Sequence, residues 1–286
     1  MKYLRSALAL IVFSGSVFGN DSSLSEGTYS LVNNGISYSL TGDALNGTAV
    51  TTLDNKTVYV GLTAWSDTGN YDARYDKNGS GDWQVKNQGR LNNYGSGFGL
   101  VNDDSYARGD QYGDRHTIDN YRYESGYKDR DMVLLSFSEA VSLTGSQFSY
   151  VNNYGSGQSS KEITVAGLND ISMFEGNSSF SWRSLANSSS VINSAVGHYS
   201  VSDTKAGNYY HSSFGTLPAA KYWLVGAYNV FFDPGYSQNK DFGFKLSSIG
   251  FSIANETPDV DVSEPGAFAL MSLGLGLLLY RRKRRV

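Results

Sequence analysis

The chain has 286 residues, with 23 basic and 27 acidic side chains, and a formal net charge of −4. It contains no cysteine, which excludes disulfides, thiolate metal sites, iron–sulfur clusters and cysteine nucleophiles. Seven of the basic residues lie near the two termini, so the rest of the chain carries 16 basic residues against 27 acidic ones. This acidic balance argues against binding to DNA or RNA.

The first 19 residues have the three parts of a secretory signal peptide. Lys2 and Arg5 form a basic region, Ala7–Phe13 is a short apolar segment, and Val17-Phe18-Gly19 places small residues around a cut after Gly19. The alternative is a helix of the folded domain, but the residues that follow are polar. We therefore predict that residues 1–19 are a signal helix and that the protein is exported.

Residues 20–257 are predicted to form one all-β domain of the β-sandwich or jelly-roll type. The chain contains 32 Gly and 21 Tyr, which suit tight turns and half-buried strands. No segment of this region has a convincing helical period. Strand patterns occur at Val58–Ala64, Met132–Phe137, Val141–Tyr150, Ile163–Val165, Tyr222–Val230 and Phe242–Ile253.

Two of these patterns carry more detail. In the Val141–Tyr150 pattern, Phe148 and Tyr150 are predicted to share one face of a strand. In the Phe242–Ile253 pattern, apolar residues alternate over Phe242–Leu246 and again over Ile249–Ile253, but the second run is out of phase with the first. This change of phase at Ser247-Ser248 predicts a bulge or bend there.

Residues 66–130 are less regular, and we expect short strands joined by long surface loops. The segment Asp76-Lys77-Asn78-Gly79-Ser80-Gly81-Asp82 resembles the first half of an EF-hand loop. Asp76, Asn78, Ser80 and Asp82 are therefore the candidate calcium ligands. Position 12 of such a loop would be Asn87 and not Glu, so a solvated turn is the favoured alternative. No other cofactor is predicted.

A second candidate ion site comprises His116, Asp119, Asn120 and Asp131. Calcium prefers oxygen ligands, which disfavours His116. Asp119 and Asn120 can instead fix a turn through side-chain hydrogen bonds to the backbone, and this is the favoured interpretation.

Four tryptophans are candidates for stacking on sugars: Trp65, Trp83, Trp182 and Trp223. Trp223 lies in an apolar strand pattern and is expected in the core. Trp83 lies between Asp82 and Gln84 in a polar region and is the candidate ligand-binding residue.

Catalysis has little support in the sequence. The chain has three histidines and no Gly-x-Ser-x-Gly elbow. Glycosidases use paired carboxylates, but pairing in space is not readable from one sequence. Glu139 and Glu162 are equally consistent with exposed strand edges. The protein is therefore predicted not to be an enzyme.

The C-terminal residues 258–286 form a three-part tail. Val262, Glu264 and Pro265 precede an apolar run, Ala267–Tyr280, which is 14 residues long. Such a Leu-rich run favours a membrane helix, although about 20 residues span a bilayer comfortably. The basic cluster that ends the chain is predicted to stay in the cytoplasm as a membrane stop. It consists of Arg281, Arg282, Lys283, Arg284 and Arg285.

This tail resembles the PEP-CTERM sorting domain of exosortase-dependent bacterial surface proteins. Ser263 stands where the first proline of the tripeptide is usual, and Gly266 also departs from the pattern. The resemblance implies export through the inner membrane of a Gram-negative bacterium, a membrane-anchored precursor, and cleavage by exosortase near Glu264-Pro265. The alternative is an ordinary C-terminal tail anchor.

The region 97–253 also resembles the sandwich domain found in many exosortase-dependent proteins. The resemblance lies in short motifs that occur in order: Gly97–Val101, His116–Asn120, Asp131–Phe137, Ala140–Gly145 and Tyr222–Ala227. It implies a fold but no activity.

Three functions remain open from the sequence. The favoured one is a non-enzymatic protein of the cell surface or extracellular matrix that works alongside extracellular polysaccharide. The second is a carbohydrate-binding module, and the third is a secreted hydrolase.

Overall fold

One long strand organises the fold of this chain. The computed structural model describes residues 24–31, 49–53, 56–67, 85–87, 91–100, 117–120, 130–153, 161–175, 179–233 and 242–254. All of them fall within one compact unit, Leu24–Ala254. Its strand β8 runs over 23 residues, from Asp131 to Asn153.

The described strands follow in chain order. They are β1 (Leu24–Ser30), β2 (Ala49–Leu53), β3 (Lys56–Ser66), β4 (Lys86–Asn87), β5 (Leu91–Asn93), β6 (Phe98–Leu100), β7 (Ile118–Asp119), β8 (Asp131–Asn153), β9 (Glu162–Leu168), β10 (Val191–Ser200), β11 (Tyr210–Ser213), β12 (Ala220–Ala227) and β13 (Phe242–Ala254). The described residues also form one short helix, α1 (Trp182–Ala186), and 3-10 turns at Ser172–Phe174 and Val230–Phe232.

The two halves of β8 pair with different strands. Residues Asp131–Val141 pair with β3 and β12, and this group continues to β2, β4, β9 and β10. Residues Ser142–Asn153 pair with β13 and β11, and this second group includes β1, β5, β6 and β7. Every one of these pairings is antiparallel, and the predicted all-β class is confirmed.

The main hydrophobic core draws on both groups of strands. Val58, Val60, Leu62 and Ala64 of β3 are all buried in it, as their alternation predicts. The second group contributes Phe244, Leu246 and Phe251 among others, and the rings of Phe137 and Phe251 lie 5.4 Å apart. This one cluster therefore joins strands that do not pair with each other.

A second cluster covers the other face of the first group. Met132 and Leu134 of β8 belong to it, whereas Val133, Leu135 and Phe137 belong to the main core. Both faces of this strand are thus apolar, which explains the continuous apolar run in the sequence. Side chains of the helix and the 3-10 turns complete the cluster: Phe174, Trp182, Leu185 and Phe232.

Helix α1 is short but well capped. Ser181 accepts a hydrogen bond from the backbone N–H of Ser184, and Ser184 Oγ accepts one from the N–H of Ser181. This reciprocal capping box satisfies two amides that a helix N-terminus leaves without partners. No helix formed by the described residues has both the length and the apolar character to cross a membrane.

The predicted irregularity at Ser247-Ser248 is confirmed by a register shift between Leu246 and Ser248. A second shift, next to Lys245, separates Phe148 from Tyr150 across Ser149. Phe148 is fully buried, whereas Tyr150 is half-buried and contacts the Lys245 ammonium. The prediction that Phe148 and Tyr150 share a face was therefore wrong, because a bulge reverses the alternation.

The hydroxyl of Ser136 is buried in β8 at 3% exposure and finds no hydrogen-bond partner among the described residues. Removing such a group relieves a desolvation cost, so we expect Ser136→Ala to raise the free energy of unfolding by about 1 kcal/mol. Chemical denaturation measures this.

Ser212→Ala is the matched control. The buried Ser212 hydroxyl donates to Ser200 O at 3.0 Å, so we expect the free energy of unfolding of this variant to fall by about 1 kcal/mol. Equal destabilisation by the two substitutions would contradict the conclusion that the Ser136 hydroxyl is buried at a cost in stability.

Candidate functional site

Asp119 of β7, Asn120 directly after it and Asp131 of β8 are the described members of the second candidate ion site. Thr117 Oγ1 donates to Asp119 Oδ2 at 2.7 Å, and the backbone N–H of Asp119 donates to Asp131 Oδ2 at 3.3 Å. Asp119 and Asp131 are 7% and 2% exposed. Neither of these two bonds runs from the side chain of Asp119 or Asn120 to a nearby backbone group, so the turn-fixing interpretation stays a prediction. His116 lies outside the described residues.

Asn120 joins three distant parts of the chain. Its Nδ2 donates to Tyr228 O at 2.5 Å, and its Oδ1 accepts from the N–H of Phe242 at 2.8 Å. Its own N–H donates to Phe242 O at 3.1 Å. The side chain is 1% exposed, so both of its polar ends are committed to the backbone of β13 and of the segment after β12.

A buried ion pair joins the residue after β3 to the residue before β8. Arg130 Nη1 is 3.2 Å from Asp67 Oδ2, and both side chains are almost fully buried. Asp67 Oδ1 also accepts from the backbone N–H of Arg130 at 2.5 Å. Trp182 Nε1 donates to Arg130 O at 3.0 Å, which ties α1 to the start of β8. The Arg130 guanidinium stacks on Phe231, 4.7 Å from the ring centroid.

The second histidine of the chain, His198, is also held by structural contacts. Its Nδ1 is 3.0 Å from Thr164 Oγ1, and its Nε2 is 3.3 Å from Phe232 O. Thr164 Oγ1 accepts from the N–H of Asn229 at 2.8 Å and is fully buried. The geometry therefore links β9, β10 and the Val230–Phe232 turn, and the Thr164 hydroxyl is inaccessible to a substrate.

Two described side chains have shifted pKa values. A hydrogen bond from the Ser172 hydroxyl lowers the pKa of Asp170, which keeps its carboxylate charged to lower pH. Burial raises the pKa of the Tyr199 hydroxyl. The stability that neutral Tyr199 contributes is thus present below its unfolded pKa and is lost as pH rises through its folded pKa.

The three tryptophans that the structure describes are all buried. Trp65, Trp182 and Trp223 are 7%, 0% and 0% exposed. Trp223 therefore lies in the core, as predicted, and Trp65 and Trp182 are excluded as exposed stacking platforms. Trp83 and the candidate calcium ligands Asp76, Asn78, Ser80 and Asp82 lie outside the described residues. Within the described part of the chain, no three acidic or histidine side chains are grouped so as to hold a metal ion.

The sorting residues Val262, Glu264 and Pro265 and the membrane-stop cluster 281–285 also lie outside the described residues. Sequence reasoning missed the ion pair of Asp67 and Arg130, because the two are 63 positions apart and no local pattern links them. It also missed a group of lysine–tyrosine contacts near Ser149.

No protein-family model, curated protein or solved structure gave a match to this chain.

Proposed function

We propose that this chain is a non-enzymatic protein of the bacterial cell surface or extracellular matrix, exported and sorted through its C-terminal tail by exosortase. The observation that carries the proposal is the order Glu264-Pro265, apolar run Ala267–Tyr280 and basic cluster 281–285. Positive charge after an apolar helix holds that end in the cytoplasm. With a signal peptide at residues 1–19, the β unit then lies on the outer side of the inner membrane.

The folded module of this proposal is a β-sandwich. Its support is the division of β8 between two groups of antiparallel strands, together with the apolar cluster to which both groups contribute. Side chains from two inner faces interdigitate in this way when sheets pack on each other.

A structural role for the module is supported by its buried polar groups. Asp67, Asn120 and Thr164 each hydrogen-bond to backbone amides of other strands or turns. Buried polar groups that are satisfied in this way fix the register of a fold. Their geometry is therefore explained by folding, without a substrate.

The sorting proposal predicts a specific mature C-terminus. In native cells, mass spectrometry of the mature protein should show cleavage near Glu264-Pro265, and cells without exosortase should retain the whole tail. Ser263→Pro restores the usual tripeptide and should increase the processed fraction. Pro265→Ala should decrease the processed fraction, although it leaves the apolar run and the basic cluster intact. The same mature mass with and without exosortase would contradict the proposal and leave an ordinary tail anchor.

A further inference from the structure

We draw no further inference here: the strongest candidate, a surface patch on β3 and β8 where exposed Tyr59 donates its N–H to Ser138 Oγ, carries none, because the Ser136 hydroxyl on the same strand is too buried to meet a ligand and nothing in the structure shows what covers the patch.

Discussion

Replacing Asn120 with alanine is expected to lower the free energy of unfolding by about 2–5 kcal/mol, because the change removes the side chain that satisfies two buried backbone groups. Tyr228 O loses its bond from Nδ2, and the N–H of Phe242 loses its bond to Oδ1. Urea denaturation followed by far-UV circular dichroism and tyrosine fluorescence would measure the loss.

Two further variants identify the cause. Asn120→Asp keeps an oxygen for the N–H of Phe242 but cannot donate to Tyr228 O, so it should also be strongly destabilised. Asn187→Ala is the matched control, since Asn187 Nδ2 donates to Arg183 O on the exposed end of α1, and it should cost less than about 1 kcal/mol. Similar losses in Asn120→Ala and Asn187→Ala would show that the bridge contributes little.

Replacing Asp67 with alanine is expected to cost about 3–5 kcal/mol, because it leaves the Arg130 guanidinium buried without its carboxylate. Arg130 is 2% exposed, so water cannot readily replace the lost partner. The backbone N–H of Arg130 loses its bond to Asp67 Oδ1 in the same variant. Thermal and urea unfolding both report this loss.

The double variant Asp67→Leu/Arg130→Met separates the two contributions. Replacing both charges by apolar side chains removes the buried guanidinium that has lost the Asp67 carboxylate, so it should recover a substantial part of the stability lost in Asp67→Ala. Recovery should be incomplete, because the backbone N–H at position 130 still lacks the Asp67 carboxylate as an acceptor. Asp203→Ala, which breaks the exposed pair with Lys161, should cost less than about 1 kcal/mol. A double variant as unstable as Asp67→Ala would contradict a charge-based explanation.

The sequence predicts this fold best for strands that are apolar on both faces or apolar along the whole of one face. Val58–Ala64 alternates because only one face of β3 meets the main core, and Met132–Phe137 is continuous because β8 lies between two apolar clusters. The shift at Ser247-Ser248 is readable because the apolar parity itself changes there. In each case the pattern is local, so it can be recognised without knowing the partner strand.

The polar sites are less readable because their members come from distant positions. Asp67 and Arg130 are brought together only when β3 and β8 pair in their register, Ser66 opposite Asp131. The bulge at Ser149 places Tyr150 beside Lys245, and nothing in the sequence around Ser149 signals it. The two rings that contact the Lys245 ammonium, Tyr94 and Tyr150, likewise come from separate parts of the chain.

The pairing of β1 with β13 has a kinetic consequence. Leu24 lies opposite Ala254 and Ser30 opposite Ser248, so the first described strand pairs with the last. Contacts of such large sequence separation must wait for a costly loop closure, which slows folding in β-rich proteins. As the chain emerges N-terminus first, β1 lacks the strand with which it pairs among the described residues until β13 has followed it. Completion of this sheet is therefore one of the latest events in the maturation of the domain, after local pairs such as β2 with β3.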